Sequence, residues 1–221
     1  MKNILLILPY GGIGGVERLA LNFYNFYKSK GYNVKALKFF GLDTDIINFN
    51  EDEIVLSKKD LFEFSTVERI KFYTLAPFKI RKIIKKHNIT HSISFGDLTN
   101  VFSALSFTNE KKIGSIHALK SVELSGNSMF SKITKLSYKI TYKNFDKMVC
   151  ISHAIKKGII ENCGYKMKNN LKVIYNPHNV EHIIQLSKDP IQDEKEKQIF
   201  EKDVILFLGR MSIQKSPWHL I

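Results

Sequence analysis

Lys2-Asn3-Ile4-Leu5-Leu6-Ile7-Leu8-Pro9, then Gly11-Gly12-Ile13-Gly14-Gly15, then Val16, Leu19, Ala20, Phe23, Phe26 and Tyr27 at helical spacing: this opening stretch decides the fold. A continuous apolar run closed by proline marks a strand covered on both faces, as in a parallel sheet. The glycine-rich loop cannot be helix. The apolar residues that follow it recur at three and four, which predicts a helix ending at the Gly31 stop signal. Val34 to Phe40 reads as the next strand, completing a strand-loop-helix-strand unit.

The same alternation continues outward. A helix is predicted from Val67 to His87, kinked or divided by Pro77, a strand from Thr90 to Phe95 and a helix from Asn100 to Phe107. A strand from Lys112 to Ile116 then leads to His117. Ser128 to Phe145 reads as helix, Lys147 to Ile151 as strand, Ala154 to Asn162 as helix and Leu171 to Tyr175 as strand. Strands alternating with helices give an α/β fold, a Rossmann-like, mostly parallel sheet with helices on both faces. Ligands of such sheets bind beyond the carboxyl ends of the strands. Gly11 to Gly15, Gly96-Asp97, His117, Ser152 and Asn176 each follow a strand and are therefore the positions of interest.

Near the C-terminus, charged Asp189 to Asp203 reads as a linker or a short solvated helix. Val204 to Leu208 reads as one more strand, running into Gly209, Arg210 and Lys215. The expected organisation is an N-terminal domain over 1–180, a linker over 181–203, and at 204–221 the first strand and loop of a second domain that is otherwise absent.

Composition narrows the class. The 221 residues are 44% hydrophobic with few glycines and prolines, as in globular rather than disordered chains. No apolar run is long enough for a membrane span or a signal h-region, so a cytoplasmic protein is expected. Cys150 and Cys163 lack metal-ligand spacing and are expected to be reduced and buried. The formal charge is +13, and residues 61–180 carry all of it, with 20 Lys/Arg against 7 Asp/Glu. Such asymmetry points to a surface with a purpose. Lys79, Arg81, Lys82, Lys85 and Lys86 form one basic stretch. Lys132, Lys135, Lys139 and Lys143 form a second, a stripe beside Met129, Ile133, Leu136 and Ile140. Both suit an anionic membrane surface, placing the protein peripherally at the inner face of the cell membrane. A solvated helix face explains either stretch alone equally well. No zinc spacing, RNP-like aromatic motif or helix-turn-helix pattern accompanies the charge, which argues against nucleic acid.

The glycine loop is neither the G-x-G-x-x-G fingerprint nor a Walker loop. A strand, a flexible loop and a helix N-terminus still form an anion or sugar site, with a plain tight turn as the bland alternative. His117 projects at the ligand edge, where an imidazole can donate to a sugar hydroxyl or carbonyl; a satisfied polar residue at a strand end is equally compatible. Arg210 and Lys215, five apart after an apolar strand, suit a diphosphate: one supplies a bidentate fork and the other a mobile point charge.

Gly11 to Ala20, Ser115-Ile116-His117, Phe145 to Ser152, Val173-Ile174-Tyr175-Asn176-Pro177 and Phe207-Leu208-Gly209-Arg210 through Lys215 together, in this order, resemble glycosyltransferase family 4. Its members are retaining enzymes of two-domain GT-B architecture. The resemblance covers nearly the whole chain. It implies a GT-B N-terminal, acceptor-side half and a nucleotide diphosphate sugar donor, uridine-linked, with no cofactor or metal. It also implies that Gly14 and Gly15 approach the donor phosphates or the acceptor, that His117 contacts the donor sugar near the reacting carbon as the catalytic residue, and that Arg210 and Lys215 hold the diphosphate. Asp43-Thr44-Asp45 has the spelling of a metal-binding motif but lies in a polar excursion. Ser94 to Asn100 is similar to an acceptor-side loop of enzymes that extend lipid-linked oligosaccharides, which marks Gly96, Asp97 and Asn100. Asn176-Pro177-His178-Asn179 departs from the commoner Asn-Gly-Val-Asp, and Ser216 replaces a glycine. The family's two C-terminal glutamates would lie beyond residue 221. The expected function is transfer of a hexose or N-acetylhexosamine to a lipid-linked or surface glycan acceptor, with this chain alone inactive. The alternative is a non-enzymatic module that binds polyanions or membrane surfaces.

Overall fold

A computed structural model describes residues 2–220 apart from 13, 121–123, 125, 127, 167, 210 and 212–215. The chain divides into two compact units, Met1–Pro177 and His178–Ile221. The first unit contains seven parallel strands: β1 (Asn3–Leu8), β2 (Asn33–Phe40), β3 (Glu53–Ser57), β4 (His91–Phe95), β5 (Lys111–Ile116), β6 (Lys147–Cys150) and β7 (Leu171–Val173). Their order is β3-β2-β1-β4-β5-β6-β7. Helices α1 (Gly15–Ser29), α2 (Thr66–Lys86), α3 (Asp97–Ala104), α4 (Met129–Thr141) and α5 (His153–Glu161) connect them.

Strand order and handedness place the helices. The step from β1 to β2 runs toward one edge of the sheet, and every later crossover from β3 onward runs toward the other. Right-handed connections therefore put α1 on one face and α2 to α5 on the opposite face. The packing agrees. Leu5 and Ile7 of β1 meet Phe72, Ala76, Ile80 and Ile84 of α2 and Phe102 of α3. In register on the same side of the sheet, Ile116 of β5 and Met148 and Cys150 of β6 meet Tyr138 of α4 and Ile155 and Ile159 of α5. The other face, with Ile4, Leu6, Leu8, Ile93 and Phe95, receives Leu19 and Ala20 of α1. Leu5 to Leu8 are fully buried, each contributing about 1.5–3 kcal/mol of apolar burial.

Several expectations gain detail. Helix α2 is continuous through Pro77, which neither divides nor ends it. Pro77 and Ala76 are buried, and a capping box fixes the start: the Glu68 N–H donates to Ser65 Oγ at 3.3 Å, while the Ser65 N–H donates to Glu68 Oε2 at 2.7 Å. Tertiary burial and a full N-terminal cap outweigh the single hydrogen bond proline forfeits. Cys150 and Cys163 are reduced and buried, and burial pushes the Cys150 thiol up to about 11, leaving it inert as a nucleophile. Among the described residues no helix is long and apolar enough to cross a membrane.

The second unit contains α6 (Val180–Leu186), α7 (Glu194–Phe200) and a 3-10 turn at Pro217–Leu220, none with a buried residue. The expected strand over Val204 to Leu208 is not formed; the segment has no regular structure, and Ile205, Leu206 and Leu208 are exposed. An apolar strand without a neighbouring strand has no ladder to satisfy its N–H and C=O groups. Ser216 adopts a φ of 46°, the left-handed conformation that a glycine would hold without strain.

Candidate functional site

Strand order reverses between β1 and β4, so the crevice for a ligand opens where the loops after these two strands leave the sheet. The loop after β1 is the glycine stretch, and a buried ion network holds it from below. Lys38, inside β2 and only 2% exposed, contacts Asp45 Oδ2 at 3.0 Å and Glu53 Oε2 at 3.0 Å and donates to the Ile47 carbonyl at 2.6 Å. Asp45 in turn accepts the Gly11 N–H at 3.2 Å, while the Gly11 carbonyl accepts the N–H groups of Ile46 and Ile47. A side chain at Gly11 would have to push aside the paired ends of Lys38 and Asp45, so the close approach there favours glycine. Asp45 is thus committed to structure, and among the described residues no group of three His, Cys, Asp or Glu could hold a metal ion.

Further along the loop, space opens. A Cβ built at Gly12 or at Gly15, the first residue of α1, would meet nothing within 4 Å. Gly14 is the extended N-cap, and the Glu17 carboxylate of the first turn lies against it. The loop therefore combines free backbone approach with a nearby negative charge. That combination suits sugar hydroxyls better than phosphate oxygens.

After β4, Gly96 caps α3 with φ 92° and ψ 169°, a conformation essentially restricted to glycine. Gly96→Ala finds open space for its methyl group. It is therefore expected to cost about 1–3 kcal/mol through the backbone alone, measurable by denaturant unfolding. Asp97 begins α3, where its Oδ1 accepts the Tyr142 hydroxyl at 3.1 Å and its Oδ2 pairs with Lys120. Burial, followed by the Asp97 charge, raises the Tyr142 phenol well above its usual range, so it acts as a permanent donor. Asn100 is fully buried: Oδ1 accepts Ser94 Oγ at 2.6 Å and Nδ2 donates to the Ser115 carbonyl at 3.1 Å. It braces α3 against β4 and β5 beneath the loop that Gly96 and Asp97 present.

His117 follows β5, two strands from β1 and so roughly 10 Å across the sheet edge. Its Nε2 lies 2.8 Å from Ser115 Oγ, and its ring sits 6.2 Å from that of Phe95. Burial pushes its pKa down to about 4, with the Asp97 charge opposing and Lys120 reinforcing the shift. At neutral pH it is an uncharged imidazole. Ser152, after β6, caps α5 by accepting the Ile155 N–H at 3.2 Å. On the α1 face, an apolar cavity of ≈280 Å³ is lined by Leu19, Phe23, Ile113, Ser115, Val149 and Ile151. A larger, shallow hollow of ≈810 Å³ lies at the opposite edge, where β4 and β5 begin, and has no part in this site.

The structure thus brings Gly14, Gly15, Gly96, Asp97 and His117 to one edge of one sheet and places Asn100 beneath it. Arg210 and Lys215 lie outside the described residues. The basic residues Lys79, Arg81, Lys82, Lys85 and Lys86 are exposed on α2, and Lys132, Lys139 and Lys143 are exposed along and just after α4, with Lys135 half-buried. Lys38, Ser115 and Tyr142 were missed as contributors. Only Lys38 left a sequence signal: a cation set within the apolar run Ala36 to Phe40 of a strand covered on both faces requires a buried partner.

A parallel sheet of this order, with a glycine loop at its switch point and a neutral histidine after the next strand but one, is the Rossmann-like N-terminal domain of a GT-B protein. The chain belongs to Glycosyltransferase Family 4, whose profile matches residues 13–182. It is 31% identical over 100 residues to an uncharacterized glycosyltransferase of Methanocaldococcus jannaschii, a match covering 45% of this chain and 24% of that protein. Among solved structures it is similar to a glycosyltransferase from Rickettsia africae, with 18% identity, 90% of this chain and 49% of that one covered, and a TM-score of 0.59. It is also similar to UDP-GlcNAc 2-epimerase from Methanocaldococcus jannaschii, with 13% identity, 92% and 54% covered, and a TM-score of 0.57. These two likenesses show the fold alone. The chain spans about half the length of these structures and a quarter of that of the curated relative.

Proposed function

We propose that this chain forms the acceptor-side half of a retaining glycosyltransferase. The enzyme moves a hexose or N-acetylhexosamine from a nucleotide diphosphate sugar, uridine-linked, to a lipid-linked or surface glycan acceptor at an anionic membrane, without a metal. The observation that carries the reading is His117, a half-buried neutral imidazole at the ligand edge, together with a glycine loop open at Gly12 and Gly15.

The residues divide the work. With Nε2 engaged by Ser115, the second ring nitrogen of His117 addresses the donor sugar near its reacting carbon. The Gly12 to Gly15 loop and the Glu17 carboxylate receive acceptor hydroxyls, a role that fits the local charge better than donor phosphate. Gly96 and Asp97 flank the same crevice, and Asn100 holds them in place. Arg210 and Lys215 neutralise the departing diphosphate, taking the place of a divalent cation. The segment 204–221 is, in this reading, the start of the donor-binding domain. Its lack of a strand and of a core fits a unit whose remaining sheet lies outside this chain.

The test is a screen of a protein that includes the remaining donor-domain length against nucleotide-sugars and lipid-linked acceptors. Acceptor-dependent release of nucleoside diphosphate is expected. Release that ignores the acceptor would contradict the assignment.

A further inference from the structure

Helix α4 is amphipathic the wrong way round for a helix whose only role is to close a core. Its inward face carries Ser131, Tyr138 and Thr141, all buried, with the Tyr138 and Tyr142 rings stacked at 4.7 Å. Its outward face carries Met129, Ile133, Leu136 and Ile140, which are 73%, 59%, 55% and 51% exposed. These four occur at i, i+4, i+7 and i+11 and make one aliphatic row about 16 Å long. Lys132 and Lys139 stand exposed within α4 and Lys143 just beyond it, and the helix contains no acidic residue. Four large aliphatic side chains held in water contribute nothing to folding; aligned on one face, they are the mark of a surface that meets something apolar.

A second helix presents the same combination on the same side of the sheet. Neighbours in register face one way: Leu5 and Ile7, packed under α2, align through Ser92 and Ser94 and then Lys112 and Gly114 with Met148. Met148 and Cys150 share the cluster that holds Tyr138 of α4. Both helices therefore cover one face, and their outer surfaces point away from the same sheet. On α2, Val67, Ile70 and Phe78 are exposed, followed by exposed Lys79, Arg81, Lys82, Lys85 and Lys86.

We propose that the α4 aliphatic row is a membrane-insertion face. It sinks among the acyl chains of an anionic bilayer while Lys132, Lys139 and Lys143 meet the lipid phosphates, with the basic end of α2 as a second contact. This deepens the membrane-borne acceptor reading above and rests on it only for the identity of the acceptor. Charge complementarity selects the occupant: lysines that flank an aliphatic row fit apolar chains beneath an anionic headgroup layer. A second copy of the chain would bring like-charged lysine rows together, in a protein of net charge +13.

The insertion model differs from a purely electrostatic one in its response to salt. Attraction between exposed charges is screened, whereas seated aliphatic groups are not. The test is sedimentation of the chain with phosphatidylcholine vesicles, with or without phosphatidylglycerol, at low and high salt and without nucleotide-sugar. Binding to the anionic vesicles is expected to weaken but persist at high salt. Ile133→Ser with Leu136→Ser should lower affinity by about tenfold or more and abolish the salt-resistant part. Lys132→Gln, Lys139→Gln and Lys143→Gln together should lose the preference for anionic lipid and keep the residual binding. All these positions are exposed, and unchanged thermal unfolding controls for the fold. Complete loss of wild-type binding at high salt, no vesicle binding, unchanged binding by the serine pair, or a dimer in solution that the serine pair dissolves would each overturn the proposal. Vesicle binding by a protein that includes the donor-domain length but transfers no sugar to any acceptor would sink the glycosyltransferase reading and leave this one standing.

Discussion

His117→Gln in the complete enzyme lowers kcat about 100-fold or more while leaving the unfolding midpoint nearly unchanged. The loss follows from geometry. The imidazole is fixed by Ser115 at 2.8 Å and flanked by Phe95, so it is already aimed at the ligand edge, and a preoriented donor is worth about two to three orders of magnitude. Glutamine keeps a polar end but not the ring's placement. The group works neutral, because its pKa stands at about 4 rather than 6.5. Above about 6.5 the folded and unfolded chains both carry an uncharged ring, and this residue gives stability no pH dependence. Between about 6.5 and 4 the unfolded chain takes up a proton that the folded chain refuses, so stability falls as pH falls. Below about 4 both states are protonated and the slope ends. Activity should accordingly show no ionisation from this residue near pH 6.5, and one that disappears in His117→Gln would contradict the assignment.

Lys38→Met is the second large effect, about 3–5 kcal/mol of stability. The substitution fills the space but strands Asp45 and Glu53, both within 3.0 Å of the ammonium, and leaves the Ile47 carbonyl without its donor. Uncompensated buried charge, rather than the absence of a favourable pair, sets the size of the loss. Because Asp45 also accepts the Gly11 N–H, the glycine loop should loosen as stability drops. Combining Lys38→Met with Asp45→Asn and Glu53→Gln should recover part of the loss by removing the stranded charges. A single-variant loss below about 1 kcal/mol by chemical denaturation would show that the network does not hold the loop.

Much of the fold was legible because β1 is a continuous apolar run and the strands after it alternate with helical segments, with Gly11, Gly41, Gly96, His117 and Ser152 at or shortly after the strand ends. β3 was not legible. It is an edge strand, half-buried along its length, and acidic residues lead into it, so no apolar run announces it. The continuity of α2 through Pro77 rests on the burial of that turn, and Val204 to Leu208 pairs with no strand among the described residues; local pattern contains neither fact. At the site, topology turned separated motifs into neighbours, bringing Gly14, Gly96 and His117 to a single edge. The same burial that recruits Asn100 shows that its amide is spent on Ser94 and Ser115. The sequence left the face of α4 open between a membrane-facing row of Met129, Ile133, Leu136 and Ile140 beside lysines and a plain solvated face. The structure shows that row exposed, with Tyr138 and Thr141 turned inward.

The account stands most directly on one measurement: the product formed when the complete enzyme is given a nucleotide-sugar and a lipid-linked acceptor, with anomeric configuration followed by proton NMR. The account predicts a new glycosidic bond of the same configuration as the donor, one nucleoside diphosphate released per bond, unaffected by chelator and lost in His117→Gln. An inverted linkage, a free epimerised sugar, or full activity in His117→Gln would contradict it.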